Sequence, residues 1–254
     1  MNHPPRLFIL FFLLSGMALM AQFPQGHYVV PSFVGQFERV LDQSQSPRHY
    51  TGYAVGGGMG YTWHAKRFVL EFDARASYAS LSPAADLNPL NVSIPSFVGQ
   101  AHTRFLWEVK AMAQTRLLAG VALPFMLRYR EHSSFSNSRE TWNAALMIGP
   151  EVGVQHPFNW WRKGFIAESF LSVPAWGYAS KPAYAQFFGV FWDQASPRAW
   201  NNALWVQAET RLRLLTINGN QVGLGYAWQY YSDSVDNRAQ LADHQLRIFI
   251  MAKF

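Results

Sequence analysis

Residues 244–254 read HQLRIFIMAKF, and this stretch decides the fold. Leucine, isoleucine, alanine and phenylalanine occupy every second position from Leu246 to Phe254, whereas the alternate positions include Gln245, Arg247 and Lys253. A period of two is that of a β-strand with one apolar face. Terminal residues of soluble proteins are usually polar and fray in water. The stretch therefore predicts a strand whose apolar face is covered by something other than water.

The same alternation recurs along the chain and predicts an all-β fold. Helical periodicity is weak, and ten strands are predicted, at 26–38, 50–64, 67–79, 100–114, 116–130, 140–155, 164–178, 203–215, 221–232 and 243–254. The connections after the second, fourth and eighth strands are tight (HAK, QTR and TINGN), and the sixth, HPFNWWRK, is intermediate. The others are long and polar, such as LDQSQSPRHY, SLSPAADLNPLNVSIPSFVG and EHSSFSNSR. One rim of short connections and one of long connections is typical of an up-and-down β-barrel.

Charged residues keep to one face of the predicted strands. In the fourth strand Arg104, Glu108 and Lys110 share one parity, whereas Phe105 and Trp107 share the other. The third, fifth and eighth strands show the same separation, and the apolar face carries no charge in any of the ten. A soluble β-sandwich also has alternating strands, and it is the alternative. Charge placement alone therefore leaves the choice between sandwich and barrel open.

Strand length and aromatic placement favour a membrane barrel over a sandwich. The predicted strands are roughly 12 to 16 residues long, which suits a tilted membrane strand of about 9–11 residues with extensions. Tyrosine and tryptophan favour the boundary between lipid and water. Aromatic residues near the predicted strand ends are Tyr28, Tyr50, Tyr53, Trp63, Trp142, Trp176, Trp228, Tyr230 and Phe254.

The ending also resembles the terminal signature of bacterial outer-membrane β-barrels. In that class a final aromatic residue follows apolar residues at alternate positions, as Phe254 follows Leu246, Ile248 and Ile250 here. Ala252 departs from the pattern, because the class often has an aromatic residue there. The resemblance implies a closed antiparallel transmembrane barrel, in which the last strand pairs with the first, because an open sheet edge is not tolerated in hydrocarbon. It also implies two partners, outer-membrane lipid and the barrel-assembly machinery that reads the last strand. We predict ten strands, with eight or twelve as alternatives.

The N-terminal segment predicts export. Arg6 precedes the apolar run from Leu7 to Leu14 and a region of small residues, which is the layout of a secretory signal peptide. We predict a signal peptide over residues 1–21, a barrel over 22–254, and location in the outer membrane of a diderm bacterium. The chain has no cysteine, which excludes disulfides and thiolate metal sites, and no basic run that would favour nucleic-acid binding. No cofactor or metal is predicted.

The predicted lumen carries nearly balanced charge. Such balance favours paired charges that plug the barrel, because buried charges must be paired, whereas a selective pore more naturally carries rings of one sign. The favoured function is therefore a structural or binding role through the outer loops, and the alternative is a narrow, porin-like channel for small polar solutes. The inward charges are the acids Glu38, Glu71, Asp73, Glu108, Glu151, Glu168 and Glu209 and the bases Arg75, Arg104, Lys110, Arg128, Arg130, Arg211, Arg213 and Arg247.

Two further hypotheses rest on the connections. Four aromatic residues in the seventh connection, Phe187, Phe188, Phe191 and Trp192, could form a partner surface, an added strand or a lid over the lumen. A barrel enzyme acting on lipid or peptide would need acid–base groups at a rim. The candidates are His49, Asp243 and His244 near Glu38, and His132 beside Ser133 and Ser134. Polar residues collect in loops without catalysis, so no catalytic residue is predicted.

Overall fold

A computed structural model describes residues 23–43, 46–83, 93–112, 114–131, 140–181, 195–235 and 238–254. These residues form twelve strands, ten of which close into an antiparallel barrel. The predicted all-β up-and-down barrel of ten strands is confirmed. The strands are β1 (Gly26–Asp42), β2 (Ser46–His64), β3 (Phe68–Pro83), β4 (Ile94–Met112), β5 (Thr115–Glu131), β6 (Glu140–Trp160), β7 (Lys163–Ser172), β8 (Trp176–Ser180), β9 (Ser196–Ala199), β10 (Ala203–Leu215), β11 (Gln221–Asp233) and β12 (Ala239–Lys253).

The last strand closes the ring by pairing with the first. Strand β12 pairs antiparallel with β1, and the register places Ile248 opposite Phe33. Both side chains point outward and are more than half exposed, at 58% and 59%. The apolar face of β12 therefore forms part of a continuous outer surface, as the alternation predicted. Because β1 and β12 pair, neither strand has an unpaired edge where the first and last strands meet.

The seventh predicted strand, 164–178, is interrupted. Pro174 lacks a backbone N–H and ends β7 at Ser172, after which β8 resumes beside β6. Strand β9 pairs with β8, although sequence analysis assigned its residues to an outer connection. These two short strands lie outside the ring, in which β7 pairs with β10 from Phe165 to Ser172.

Several connections are shorter than predicted. Strand β1 continues to Asp42 and β2 begins at Ser46, so LDQSQSPRHY contains only a three-residue connection. The connection after β3 is also shorter than predicted, because β3 continues to Pro83 and β4 begins at Ile94. The sixth connection is a tight turn whose two central residues, Trp161 and Arg162, both have positive φ. Polar residues near a rim interrupt the alternation of apolar and polar side chains. The strands predicted from that alternation are therefore shorter than those in the structure.

The outer surface is apolar, with aromatic residues near the turn end. Trp63 stacks on His27, and Phe254 lies beside the rings of His27 and Tyr61. Three residues predicted for an exposed aromatic boundary, Tyr28, Tyr50 and Trp142, are instead buried. No helix in the described part of the chain is long and apolar enough to cross a membrane.

Glycines allow β2 and β3 to approach closely. A Cβ atom on Gly56 would lie 2.1 Å from the carbonyl oxygen of Ala76, and one on Gly58 would lie 2.6 Å from Cγ of Arg75. Only a residue without a side chain fits such contacts. The GGGMG stretch, residues 56–60, therefore shapes the wall of the barrel.

Candidate functional site

The lumen is the candidate functional site, because most of the buried charge of the molecule lies there. An apolar cluster occupies its end near the long connections, where Trp205 packs edge to face on Tyr231. Two smaller apolar clusters lie toward the turn end, one around Tyr28 and Phe249 and one around Leu106 and Phe170. Between these clusters the lumen is crossed by ion pairs.

A first group of ion pairs joins the two closing strands to the opposite wall. Glu38 on β1 and Asp243 on β12 are register partners. Arg128 on β5 donates from Nη1 to Glu38 Oε2 at 2.5 Å and from Nη2 to Asp243 Oδ2 at 3.3 Å. Gln36 and Gln229 add donors to Asp243 at 3.2 and 2.6 Å. A single guanidinium thus bridges two adjacent carboxylates.

The central group is built around Glu209 on β10. Three arginines contact this carboxylate: Arg104 at 2.8 Å, Arg211 at 2.7 Å and Arg247 at 3.3 Å. Arg211 also donates from Nη1 to both oxygens of Glu71, at 3.0 and 2.9 Å. Arrangements of this kind, with several charge-assisted hydrogen bonds per group, satisfy charges that burial would otherwise penalise.

The central group continues to both sides. Arg247 binds Asp73 at 2.5 Å, and Asp73 also pairs with Arg75 at 2.8 Å. Arg104 pairs through Nε with Glu151 at 3.3 Å. Arg104 also stacks on Phe170, with Cζ 4.3 Å from the ring centroid. These contacts connect strands from opposite walls into one network.

Two smaller groups lie toward the turn end. Arg213 binds Glu168, which also accepts a hydrogen bond from Gln155 at 2.5 Å. Arg116 binds Glu108 at 2.5 Å, and this pair is partly exposed.

Two more groups lie toward the long connections. Arg130 binds Asp42 at 2.6 Å. Asp233 at the end of β11 pairs with Arg198 of β9 at 2.9 Å and with Lys181 at 3.7 Å. The second group connects the short β9 strand to β11. The two strands do not pair with each other in the described part of the chain.

A small cavity with polar and apolar walls, the lumen chamber, lies within the network. Its wall includes Gln100, His102, Arg104, Glu151, Phe170 and Gln245, and the empty space along this wall has a volume of about 490 Å³, which includes open solvent. Gln245 donates to Gln100 at 2.8 Å. Within the described residues, no group of three or more His, Cys, Asp or Glu side chains could hold a metal ion.

The structure places nearly all predicted lumen charges in the network. Lys110 is the exception: it is exposed at the turn end, because a β-bulge between Glu108 and Lys110 shifts the register and breaks the parity. Five charged residues of the network lie at or beyond the predicted strand ends and were not predicted from the sequence, and Asp243 was predicted only as a rim acid. The five are Asp42, Arg116, Asp233, Arg198 and Lys181. Shared parity with Glu38 and Arg128 could have indicated Asp42 and Arg116.

The candidate catalytic residues do not converge within the described part of the chain. Asp243 points into the lumen, whereas His244 points outward and is hydrogen-bonded to Tyr226 at 2.7 Å. His49 lies on the outward side of β2, because it alternates with Tyr50, which is buried in the lumen cluster. His132, Ser133 and Ser134 lie outside the described residues, as do the loop candidates Phe187, Phe188, Phe191 and Trp192 and the predicted signal peptide.

Comparison with known proteins identifies the fold. No protein-family model and no curated protein sequence match the chain. The solved structure of the outer membrane protease OmpT from Escherichia coli is similar, with a TM-score of 0.51 and 9% identity over 92% of this chain and 100% of that one. The translocator domain of the autotransporter NalP from Neisseria meningitidis has a TM-score of 0.44 and 10% identity over 92% and 91% of the two chains. The transport unit of the autotransporter AIDA-I from Escherichia coli has a TM-score of 0.42 and 11% identity over 97% of both chains.

These similarities concern the fold alone. Together with the closed ring of ten strands, the likeness to OmpT shows that the chain has the fold of the bacterial outer-membrane β-barrels.

Proposed function

We propose that this chain is an integral protein of the bacterial outer membrane whose lumen is closed, and that it serves a structural or binding role through its long connections. The apolar outer surface supports the membrane location, because side chains such as Phe33, Val55 and Ile248 would be exposed to water in a soluble protein. Hydrocarbon accepts only backbones whose hydrogen bonds are satisfied internally, and a closed ring meets this condition.

Side chains cross the lumen at several heights, and this observation carries the closed-barrel proposal. An apolar cluster spans one end, and ion pairs cross the middle from strand to strand. The described ion pairs involve ten carboxylates and ten arginine or lysine side chains, so neither sign predominates. A conducting selective path would more naturally present one sign of charge to water.

Single-channel recording tests this proposal. The mature chain is inserted into a planar lipid bilayer, and a mock preparation from cells that lack the protein controls for contaminating porins. We expect no reproducible conductance steps from the wild-type protein. Steady open channels that are absent from the mock preparation would overturn the closed-lumen proposal.

A narrow channel for small polar solutes is the second candidate. The lumen chamber favours it, since it is a partly polar space within the barrel that protein atoms do not fill. The same recordings distinguish the two candidates. We assign no catalytic step to the chain, and the separation of Asp243 from His244 on opposite faces of β12 supports this choice.

A further inference from the structure

The lumen chamber contains buried polar atoms without hydrogen-bond partners. The Oε2 atom of Glu151, whose side chain is 1% exposed, has none, and neither do Nε2 of His102 and Nε2 of Gln100. Buried polar groups in proteins nearly always have a partner, so several unpartnered atoms around one cavity indicate an occupant.

The hydrogen bonding of His102 determines which hydrogen-bond donors and acceptors the occupant must have. Arg104 donates from Nη2 to Nδ1 of His102 at 3.1 Å. Arginine has no acceptor atom, so Nδ1 is the accepting nitrogen, the ring is neutral, and its proton lies on Nε2. His102 Nε2 is 4.0 Å from Glu151 Oε2, which is too far for a direct hydrogen bond. A group between them must accept from His102 and donate to Glu151, and a hydroxyl does both.

The charges around the chamber already have partners. Glu151 is paired with Arg104, Arg75 with Asp73, and Asp243 with Arg128. A bound ion would upset this balance in a buried site, so an uncharged molecule fits better. The free Nε2 of Gln100 provides a second donor and therefore calls for a second acceptor on the same molecule.

Part of the chamber wall is apolar, and water alone would make no favourable contact with it. The Phe170 ring lines it, held beneath the guanidinium of Arg104. A carbon skeleton can pack on this ring while its hydroxyl groups face the polar wall. We propose that the lumen chamber is a binding site for a small, uncharged polyhydroxyl compound, whose hydroxyl groups bridge His102 to Glu151 and satisfy Gln100.

Thermal unfolding of the full mature chain in detergent tests the proposal, with erythritol as the probe. Polyols also stabilise proteins by exclusion from the surface, so the quantity of interest is the difference between wild type and variants. His102→Leu removes the donor, His102→Gln restores one, and Gln240→Leu is the matched control on the outer surface. At a concentration ten times its dissociation constant, a bound ligand raises the folding equilibrium constant about tenfold.

We expect erythritol to raise the unfolding temperature of wild type, His102→Gln and Gln240→Leu more than that of His102→Leu. We expect 1,2-dimethoxyethane, which accepts but cannot donate, and the zwitterion glycine to give no such difference. Equal shifts with erythritol in all four proteins would overturn the proposal and leave the chamber to water. A chamber-dependent shift with glycine or 1,2-dimethoxyethane that equals the one with erythritol would overturn it as well. The readout does not depend on membrane location or conductance, so it can fail while the proposed function stands.

Discussion

Glu38 and Asp243 lie directly opposite each other in the two strands that close the barrel, and both side chains are fully buried. Like charges at directly opposed positions destabilise a sheet. The pair is tolerated because Arg128 reaches across from β5 and binds both carboxylates. Ring closure therefore depends on a cation from a strand that is not part of the closing pair.

Removing that cation should weaken the barrel. We expect Arg128→Leu to lower the free energy of unfolding by about 3–5 kcal/mol, because two buried carboxylates lose their partner. Denaturant unfolding in lipid vesicles measures the change. The control is Arg39→Leu, next to Glu38 but exposed, which should change stability by no more than about 0.5 kcal/mol. Adding Glu38→Gln and Asp243→Asn to Arg128→Leu should recover part of the loss, and no recovery would contradict the explanation.

Glu209 and Glu108 provide a second matched comparison. Glu209 is buried among three arginines, whereas Glu108 makes one ion pair at a partly exposed rim. We expect Glu209→Gln to cost about 3–5 kcal/mol, and Glu108→Gln to cost less than about 1 kcal/mol. Any leak that Glu209→Gln opens in a planar bilayer should favour anions, because unpaired arginines would then line the path. Equal costs for the two variants would show that the central network does not stabilise the barrel.

Because β2 and β3 lie so close together, we predict that a glycine between them cannot be replaced without loss of stability. We expect Gly56→Ala to destabilise the barrel by about 1–3 kcal/mol, because the added Cβ atom would meet the backbone of Ala76 and force the strands apart. Gly35→Ala is the control, since a Cβ atom there meets nothing within 4 Å. It should be neutral or slightly stabilising, because alanine orders a strand at a lower entropic cost than glycine. Comparable losses in both variants would rule out the steric explanation.

Alternation in the sequence predicts which face a residue occupies, and little more. It placed Arg104 and Glu209 inside the barrel, yet their contact joins residues 105 positions apart in the chain. Parity gives neither height along the axis nor the facing strand, because both depend on register and barrel closure. The ion pairs therefore could not be predicted individually.

Local irregularities explain the remaining errors. A bulge adds one residue to β4 and reverses the parity beyond it, which moves Lys110 out of the network, and no residue type in that stretch marks the bulge. Asp243 was considered a rim residue because β12 was predicted to begin there, whereas the strand begins at Ala239. The lumen chamber has no sequence signature, since Gln100, His102 and Glu151 meet only in the closed barrel.

The outward face of β12 makes the last prediction, which concerns assembly in cells. We expect Ile248→Asp to reduce the amount of folded barrel in the outer membrane, because the carboxylate would face lipid near the middle of the strand. A lysine or arginine at the bilayer midplane costs about 2–4 kcal/mol, and aspartate somewhat less. Deleting Phe254, whose backbone N–H donates to the carbonyl of His27 at 3.2 Å, should also reduce assembly, because it removes an aromatic contact and a hydrogen bond of the closing strands.

The control is Ile217→Asp, in the turn between β10 and β11, where the side chain is fully exposed and lies outside the proposed membrane span. The folded fraction is measured as the band that shifts on heating before gel electrophoresis. Normal assembly of Ile248→Asp, or an equal defect in Ile217→Asp, would show that the outward face of β12 does not contact lipid.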